Sequence, residues 1–353
     1  MIAENETDNK DFYNGVVDGA TINSPVFIRG SYKDPSSKKI PHHFLSALHV
    51  GDSVFHTPGS GRLELAASIL SPNNPLTARV MVNRIWHYLF GKGIVETVDN
   101  FGLQGKLPTN LALLDYLAIR FQKDNWSVKK MIKLIVMSET FRRAVEAPEE
   151  MLKKDPANLY LAHFPVLRLE AEAIRDGMLM ASGRLDTTMY GPSVFAWLSP
   201  FMNGRGKPDT SGPIDGAGRR SIYQEVRRNF LDPMMLTFDR PIPFSTFGKR
   251  NVTNVPAQSL FMMNDSLVVM QSELMAKRLL HQKDKSTDER IQMAYELALA
   301  RPATEDEVAK AKAFLQKLAA IHKLSAKDGM NSIDIWKDYC QALFNLKEFI
   351  FLT

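Results

Sequence analysis

The chain has 353 residues, enough for one large domain or two ordinary ones with real cores. Apolar residues make up 44% and charged residues 24%, and a net charge of +5 is too small to mark a nucleic-acid binder. The single cysteine, Cys340, excludes an internal disulfide, a cysteine-built metal site and a C-x-x-C-H haem attachment, and no apolar run of about 18 residues exists to span a membrane.

Residues 1–24, opening "MIAENETDNKDFYNG", are acidic and polar and read as a flexible lead-in. They lack a basic region followed by an apolar one, so any export signal is expected outside this chain. A short extended run at 26–29 leads to a turn-rich loop with Gly30, Pro35 and Pro41, and "SGRLELAASIL" reads as a helix over 61–70. The next helix has Asn74 as N-cap, Pro75 in its first position and Gly91 at its end. A loop over 95–109 separates it from helices at 110–123 and 127–143, the second capped by Ser127.

"LRLEAEAIRDGMLMASGRL" reads as a helix over 167–185 that closes near Gly183. Residues 186–218 are rich in Gly, Pro and Ser and read as loop; 219–230 alternate enough for a strand, and 238–256 are again irregular. From Pro256 onward the pattern is helical: one helix over 256–282, two with capping boxes at Ser286/Glu289 and Thr304/Glu307, and a last one over 332–349. The fold class is mainly α, a multi-helical globular domain with long irregular loops and at most a short two-stranded β element. Residues 25–353 fit either a single core or sub-layers 25–185 and 256–353 joined by a loop-rich 186–255.

Candidate chemistry starts in "NNPLTARVMVNRIWHYLFGKGI". On a helical wheel Ala78, Met81, Val82, Ile85 and Leu89 share an apolar face, while Arg79, Asn83 and His87 step by four on the other side with Arg84 beside them. Leu76, Val80 and Phe90 interleave with that stripe, so the polar residues are expected inside the protein or at a covered surface. A buried arginine needs a carboxylate or several carbonyls, and Asp99, Asp115, Glu170, Glu172, Asp176 and Asp239 are the available carboxylates. Two readings stand: an arginine–carboxylate network that fixes how elements meet, or a pocket for an anionic or hydroxyl-rich ligand.

"GRRSIYQEVRRN" supplies Arg219, Arg220, Arg227 and Arg228, and Arg250 follows. In an extended segment Arg220 and Arg228 would share a face, and guanidinium forks recognise carboxylate, sulfate or phosphate. Ion pairing with Glu170, Glu172, Asp176 and Asp239 is the competing explanation. Glu172 and Asp176 lie one helical turn apart with Glu170 nearby, the residue types that glycoside hydrolysis or metal binding needs, although Arg175 between them points to a salt-bridged surface or interface. The eight histidines, among them His42, His43 and His49, show no zinc spacing, and no P-loop, G-x-S-x-G or G-x-G-x-x-G fingerprint occurs. Trp197, in the Gly/Pro-rich loop, is placed to stack on a sugar ring.

The blocks "NPLTARVMVNRIWHYLFGKGIVETVDNFGLQG", "NWSVKKMIKLIVMSETFRR", "LRLEAEAIRDGMLMASGRL", "RRSIYQEVRRN", "VPAQSLFMMN" and "WKDYCQALFNLKEFI" occur in an order that resembles the DUF1553 family, also called PSD1. The resemblance covers nearly all the chain from Val26. It implies a planctomycete-type, extracytoplasmic setting and the C-terminal part of a larger exported protein, with a DUF1549-like and often a cytochrome c domain upstream. Any haem is then expected on that upstream domain, with no cofactor in this chain, and no catalytic residue carries over. Two functions follow. The first is an accessory module presenting an arginine-rich surface over 186–255 to an acidic polysaccharide or to the upstream domain. The second is a polysaccharide-directed hydrolase or oxidoreductase with Arg84, His87, Glu170, Asp176, Arg220 and Arg228 around its pocket, where His87 or Glu170 would transfer the proton.

Overall fold

The computed structural model describes residues 18–352 apart from 20–21, 49–52 and 57–58. Most of the expected flexible lead-in, and His49, lie outside the described residues. The chain divides into two compact units, Met1–Arg142 and Arg143–Thr353.

In the first unit, strands β1 (Ser24–Phe27) and β2 (Pro35–Ile40) pair antiparallel, Ser24 opposite Ile40 and Phe27 opposite Pro35, with a bulge after Pro25. The stretch expected as a turn-rich loop is therefore the second half of a hairpin. Proline at its first position is compatible with a strand end, where no ladder donor is needed. Four helices follow: α1 (Arg62–Leu70), α2 (Thr77–Phe90), α3 (Leu111–Lys123) and α4 (Val128–Val136). Asn110 and Ser127 cap α3 and α4 by accepting from the backbone N–H of Leu113 and Lys130, and Gly91 ends α2 in the left-handed conformation. Two boundaries differ from the sequence reading. α2 starts at Thr77 because the Asn74 side chain is spent on Leu76 N–H and on the Ile69 carbonyl. α4 ends at Val136, where the Ser138 hydroxyl takes the Ile135 carbonyl. Val82, Ile85 and Phe90 of α2, Leu114, Leu117 and Phe121 of α3, and Met131 and Ile135 of α4 are buried and form this unit's centre.

The second unit contains α5 (Glu149–Lys154), β3 (Leu167–Arg168), α6 (Ala171–Ser182), α7 (Pro233–Thr237), α8 (Pro256–Asn264), α9 (Ser266–Leu280), α10 (Thr287–Leu299), α11 (Glu305–Ile321), α12 (Ala326–Gly329), α13 (Ile333–Phe344), α14 (Lys347–Ile350) and β4 (Phe351–Leu352). β3 and β4 pair antiparallel, Leu167 opposite Leu352. The core is built on α9 against α13 and α6, with Ile174, Met178, Val268, Met275, Leu279, Ile335, Trp336 and Phe344 all buried. Cys340 is fully buried in that core, and burial pushes its thiol well above the ordinary range.

Both capping boxes form, Ser286 with Glu289 and Thr304 with Glu307. The helix expected over 256–282 is two, because Asp265 takes an extended conformation and caps α9 by accepting from Leu267 N–H. Gln341 and Asn345 then satisfy the carbonyls left at the end of α8, donating to Met262 and Met263. The last helix likewise breaks at Leu346 into α13 and α14. No helix among the described residues is long and apolar enough to cross a membrane.

Candidate functional site

Polar side chains concentrate around α6 of the second unit, in two clusters along one helix. The first is at its N-terminus. Glu170 sits at the N-cap position and Glu172 in the first turn, where negative charge meets the positive end of the helix. Arg250 grips Glu172 as a fork, Nη1 to Oε2 at 2.6 Å and Nη2 to Oε1 at 3.1 Å, and its Nε lies 3.3 Å from Glu170. Arg240 adds a longer contact to Glu172 at 3.8 Å. Burial raises both carboxyls. At Glu172 the bonds from Arg250 outweigh it and the group stands below the usual range, while Glu170 stays above it, with Glu172 adding to the rise.

Just before this helix, the side chain of Arg168 is buried and pairs with Asp239 at 2.8 Å. Asp239 has a positive φ of 62° and also accepts from the backbone and hydroxyl of Thr253. Burial pushes its carboxyl up, but the bonds from Thr253 and Arg168 prevail and hold it below the ordinary value.

The second cluster is one turn further on. Arg175 has no exposed surface. Its guanidinium donates to the carbonyls of Asp215 (2.7 Å) and Arg219 (3.0 Å) and to the Ser221 hydroxyl (2.9 Å). Asp176 completes the clasp, accepting from the Ser221 N–H at 2.8 Å and from its hydroxyl at 2.7 Å. Arg184 forks onto Asp215 at 2.6 and 3.0 Å. Three consecutive residues, Gly216, Ala217 and Gly218, have positive φ, which turns their segment sharply onto α6. A Cβ on Gly216 would stand 2.5 Å from an Arg175 nitrogen, so the approach needs a glycine. Arg219 then ties the loop to itself, donating to the carbonyls of Thr188 and Tyr190 and lying 4.2 Å over the Tyr223 ring. The irregular segment 186–224 is thus pinned by arginines that spend their donors on its carbonyls.

The strand expected over 219–230 does not form. Ser221–Tyr223 is a 3-10 turn, and only isolated bridges, Asp186 with Arg219 and Val194 with Gln224, mark the segment. The common face inferred for Arg220 and Arg228 from strand alternation therefore lapses. Arg220 reaches the Met189 sulfur at 3.7 Å, Arg227 pairs with Glu225 at 2.9 Å, and Arg228 is exposed. Trp197 is half-buried and lines a void of only about 10 Å³ with Asp232 and Asp265, room for a single water rather than a sugar.

The polar residues of α2 belong to the first unit and do not form a single covered stripe. Asn83 is fully buried, exchanging two hydrogen bonds with the Val95 backbone at 2.8 and 3.0 Å. Arg79 pairs with Asp115 at 2.6 Å. His87 is half-buried with its ring edge-on to Tyr88, and Arg84 is exposed, against the expectation that it would be covered. The structure brings together Glu170, Glu172 and Arg250, and separately Arg175, Asp176 and Ser221. Arg168 and Arg184, which hold Asp239 and Asp215, escape a sequence reading because nothing local separates them from surface arginines. Among the described residues no group of three or more His, Cys, Asp or Glu is arranged to hold a metal ion.

Residues 61–315, well over half of the chain, match the family model of PSD1, described as a protein of unknown function (DUF1553). The chain belongs to the PSD1 family. The matched PSD1 region opens at α1 and stops within α11, so it holds both α6 clusters and leaves the β1–β2 hairpin and α13 outside. No curated protein and no solved structure matches the chain.

Proposed function

We propose that this PSD1 chain is a binding module whose pinned segment 186–255 receives an anionic polysaccharide. The supporting observation is how the segment sorts its charges. Of its six acids, Asp215, Asp232 and Asp239 are turned inward, capping turns or pairing with Arg184 and Arg168, Asp186 and Glu225 pair with Arg219 and Arg227, and Asp209 is exposed beside the exposed cations Arg205, Lys207, Arg228 and Lys249. The same segment exposes Tyr190, Phe195, Phe201, Phe244 and Phe247. Cations that fork onto sulfate or carboxylate, beside aromatic faces that stack on sugar rings, are the recognition chemistry of acidic glycans. Pinning by Arg175 and Arg219 lowers the ordering cost of such a surface. In this reading the module works outside the cytoplasm within a longer exported protein, and its upstream domain is the competing occupant.

Affinity measurements with a heparin oligosaccharide, polygalacturonate and neutral dextran test it. Binding of the two polyanions that weakens with salt, and is lost in Arg205→Ala/Lys207→Ala/Arg228→Ala at unchanged melting temperature, is the expected result. Equal binding by that variant, or equal affinity for dextran, overturns the proposal.

A second reading, an enzyme acting on polysaccharide, draws on Glu170, whose carboxyl burial raises above the usual range as a proton donor requires. Release of new chain ends that disappears in Glu170→Gln would establish it.

A further inference from the structure

The first unit carries an apolar surface that the polysaccharide reading does not use. α1 is fastened at both ends: just before its start by the Ser60 carbonyl, 2.9 Å from His42 Nδ1, and at its end by Asn74 and Thr77, which donate to the Ile69 carbonyl at 3.1 and 2.7 Å. Yet none of its nine residues is buried. Leu63, Ala67 and Leu70, spaced i, i+4 and i+7, form one stripe, with Leu63 79% and Leu70 55% exposed. So short a helix normally owes its stability to a packed face.

Leu70 also lines a cleft of about 550 Å³ with Val80, Met81 and Trp126, and Arg84 is the single charged residue in its lining. Arg79 of α2 and Arg120 of α3 are neutralised, by Asp115 and Asp124. Arg84, exposed at the cleft, forms no ion pair among the described residues. A guanidinium beside apolar walls gains more from a carboxylate than one in open water.

We propose that α1 and this cleft form a docking surface for a polypeptide that brings aliphatic side chains at helical spacing and one carboxylate, received by Arg84. A small amphiphile would fill the cleft but leave most of the Leu63–Leu70 stripe, about 10 Å long, uncovered. Residues 61–142, which carry this surface, hold eleven Lys and Arg against six Asp and Glu, a balance that favours an acidic occupant. An acidic, amphipathic helix laid into the groove satisfies both the apolar stripe and the cation.

The test is selection of a phage-displayed random 16-residue peptide library on the full chain, with counter-selection on Arg84→Glu. Enriched peptides should share aliphatics at helical spacing and an Asp or Glu. A synthetic copy should bind Arg84→Glu and Leu63→Ser at least about ten-fold more weakly, at unchanged melting temperature, and should slow amide exchange in α1. Absence of acidic enriched peptides, or equal binding by Arg84→Glu, overturns the proposal. So does Arg84-dependent displacement of the peptide by sodium dodecanoate, which would mark a small-amphiphile site. Dimerisation abolished by Leu63→Ser would assign the surface to a second copy, also against it. None of these outcomes depends on glycan binding by residues 186–255.

Discussion

α2 and α6 look alike in sequence, each an apolar helix interrupted by arginine, yet they treat that arginine in opposite ways. Arg175 of α6 is sealed and spends its guanidinium on two backbone carbonyls and a hydroxyl. Arg84 of α2 is exposed, and the buried polar residue of α2 is the uncharged Asn83. The helices themselves do not explain the contrast. Over α6 an irregular segment returns with unpaired carbonyls, which a fixed positive charge can satisfy; around Asn83 the close backbone of Val95 asks for one donor and one acceptor, which an amide supplies.

The comparison breaks most sharply at Arg175. Arg175→Met removes the shared donor and leaves two buried carbonyls, and the half-buried Asp176, without it, a loss of about 3 kcal/mol by urea unfolding, with faster protease cleavage in the Gly/Pro-rich stretch 199–212. A loss under about 1 kcal/mol would mean that Arg175 is not the clamp. Next comes Asn83→Ala, which strands the Val95 N–H and carbonyl and should cost about 1–3 kcal/mol, with the melting temperature as readout.

Acid sharpens the contrast on the second unit. Arg301 forks onto both Glu307 and Glu348, and its bonds, outweighing burial, hold the Glu307 carboxyl down to about 2 from an ordinary 4.5. A carboxyl depressed on folding stabilises above its unfolded value, so stability should fall as pH drops from about 4.5 toward 2. The exposed setting keeps this effect modest. Urea midpoints across that range should flatten in Glu307→Gln. The smallest effect belongs to Arg84→Ala, expected within about 0.5 kcal/mol of the parent; a large loss would show that Arg84 is structural after all.

Where structure depends on neighbouring residues alone, the sequence is a good guide. Ser127, Ser286 and Thr304 cap their helices as expected, and Gly91 and Gly183 end theirs, because capping is chemistry within one turn. Asn74 and Ser138 shift helix ends through bonds within a few residues, but the larger errors are non-local. "PSSKKI" has almost no β-branched residue and becomes a strand only because β1 lies beside it. Asp265 breaks a continuous apolar run, and Gln341 and Asn345, about eighty residues away, make the break affordable by taking the freed carbonyls. The alternation of "RRSIYQEVRRN" imitates a strand, yet Asp176 and Arg175 hold Ser221 in a tight turn. The same holds for the candidate site. Asp115 was among the carboxylates available to Arg79, but that Arg84 meets none depends on how helices pack, which no pattern along the chain encodes.

The burial of Cys340 gives the molecule an internal clock. Only a thiolate reacts with a disulfide reagent such as DTNB, and this sulfur is both sealed from solvent and disfavoured as an anion. Labelling in native buffer must therefore wait for the α9–α13 seam to part, and its rate reads the opening free energy of that seam without any engineered dye.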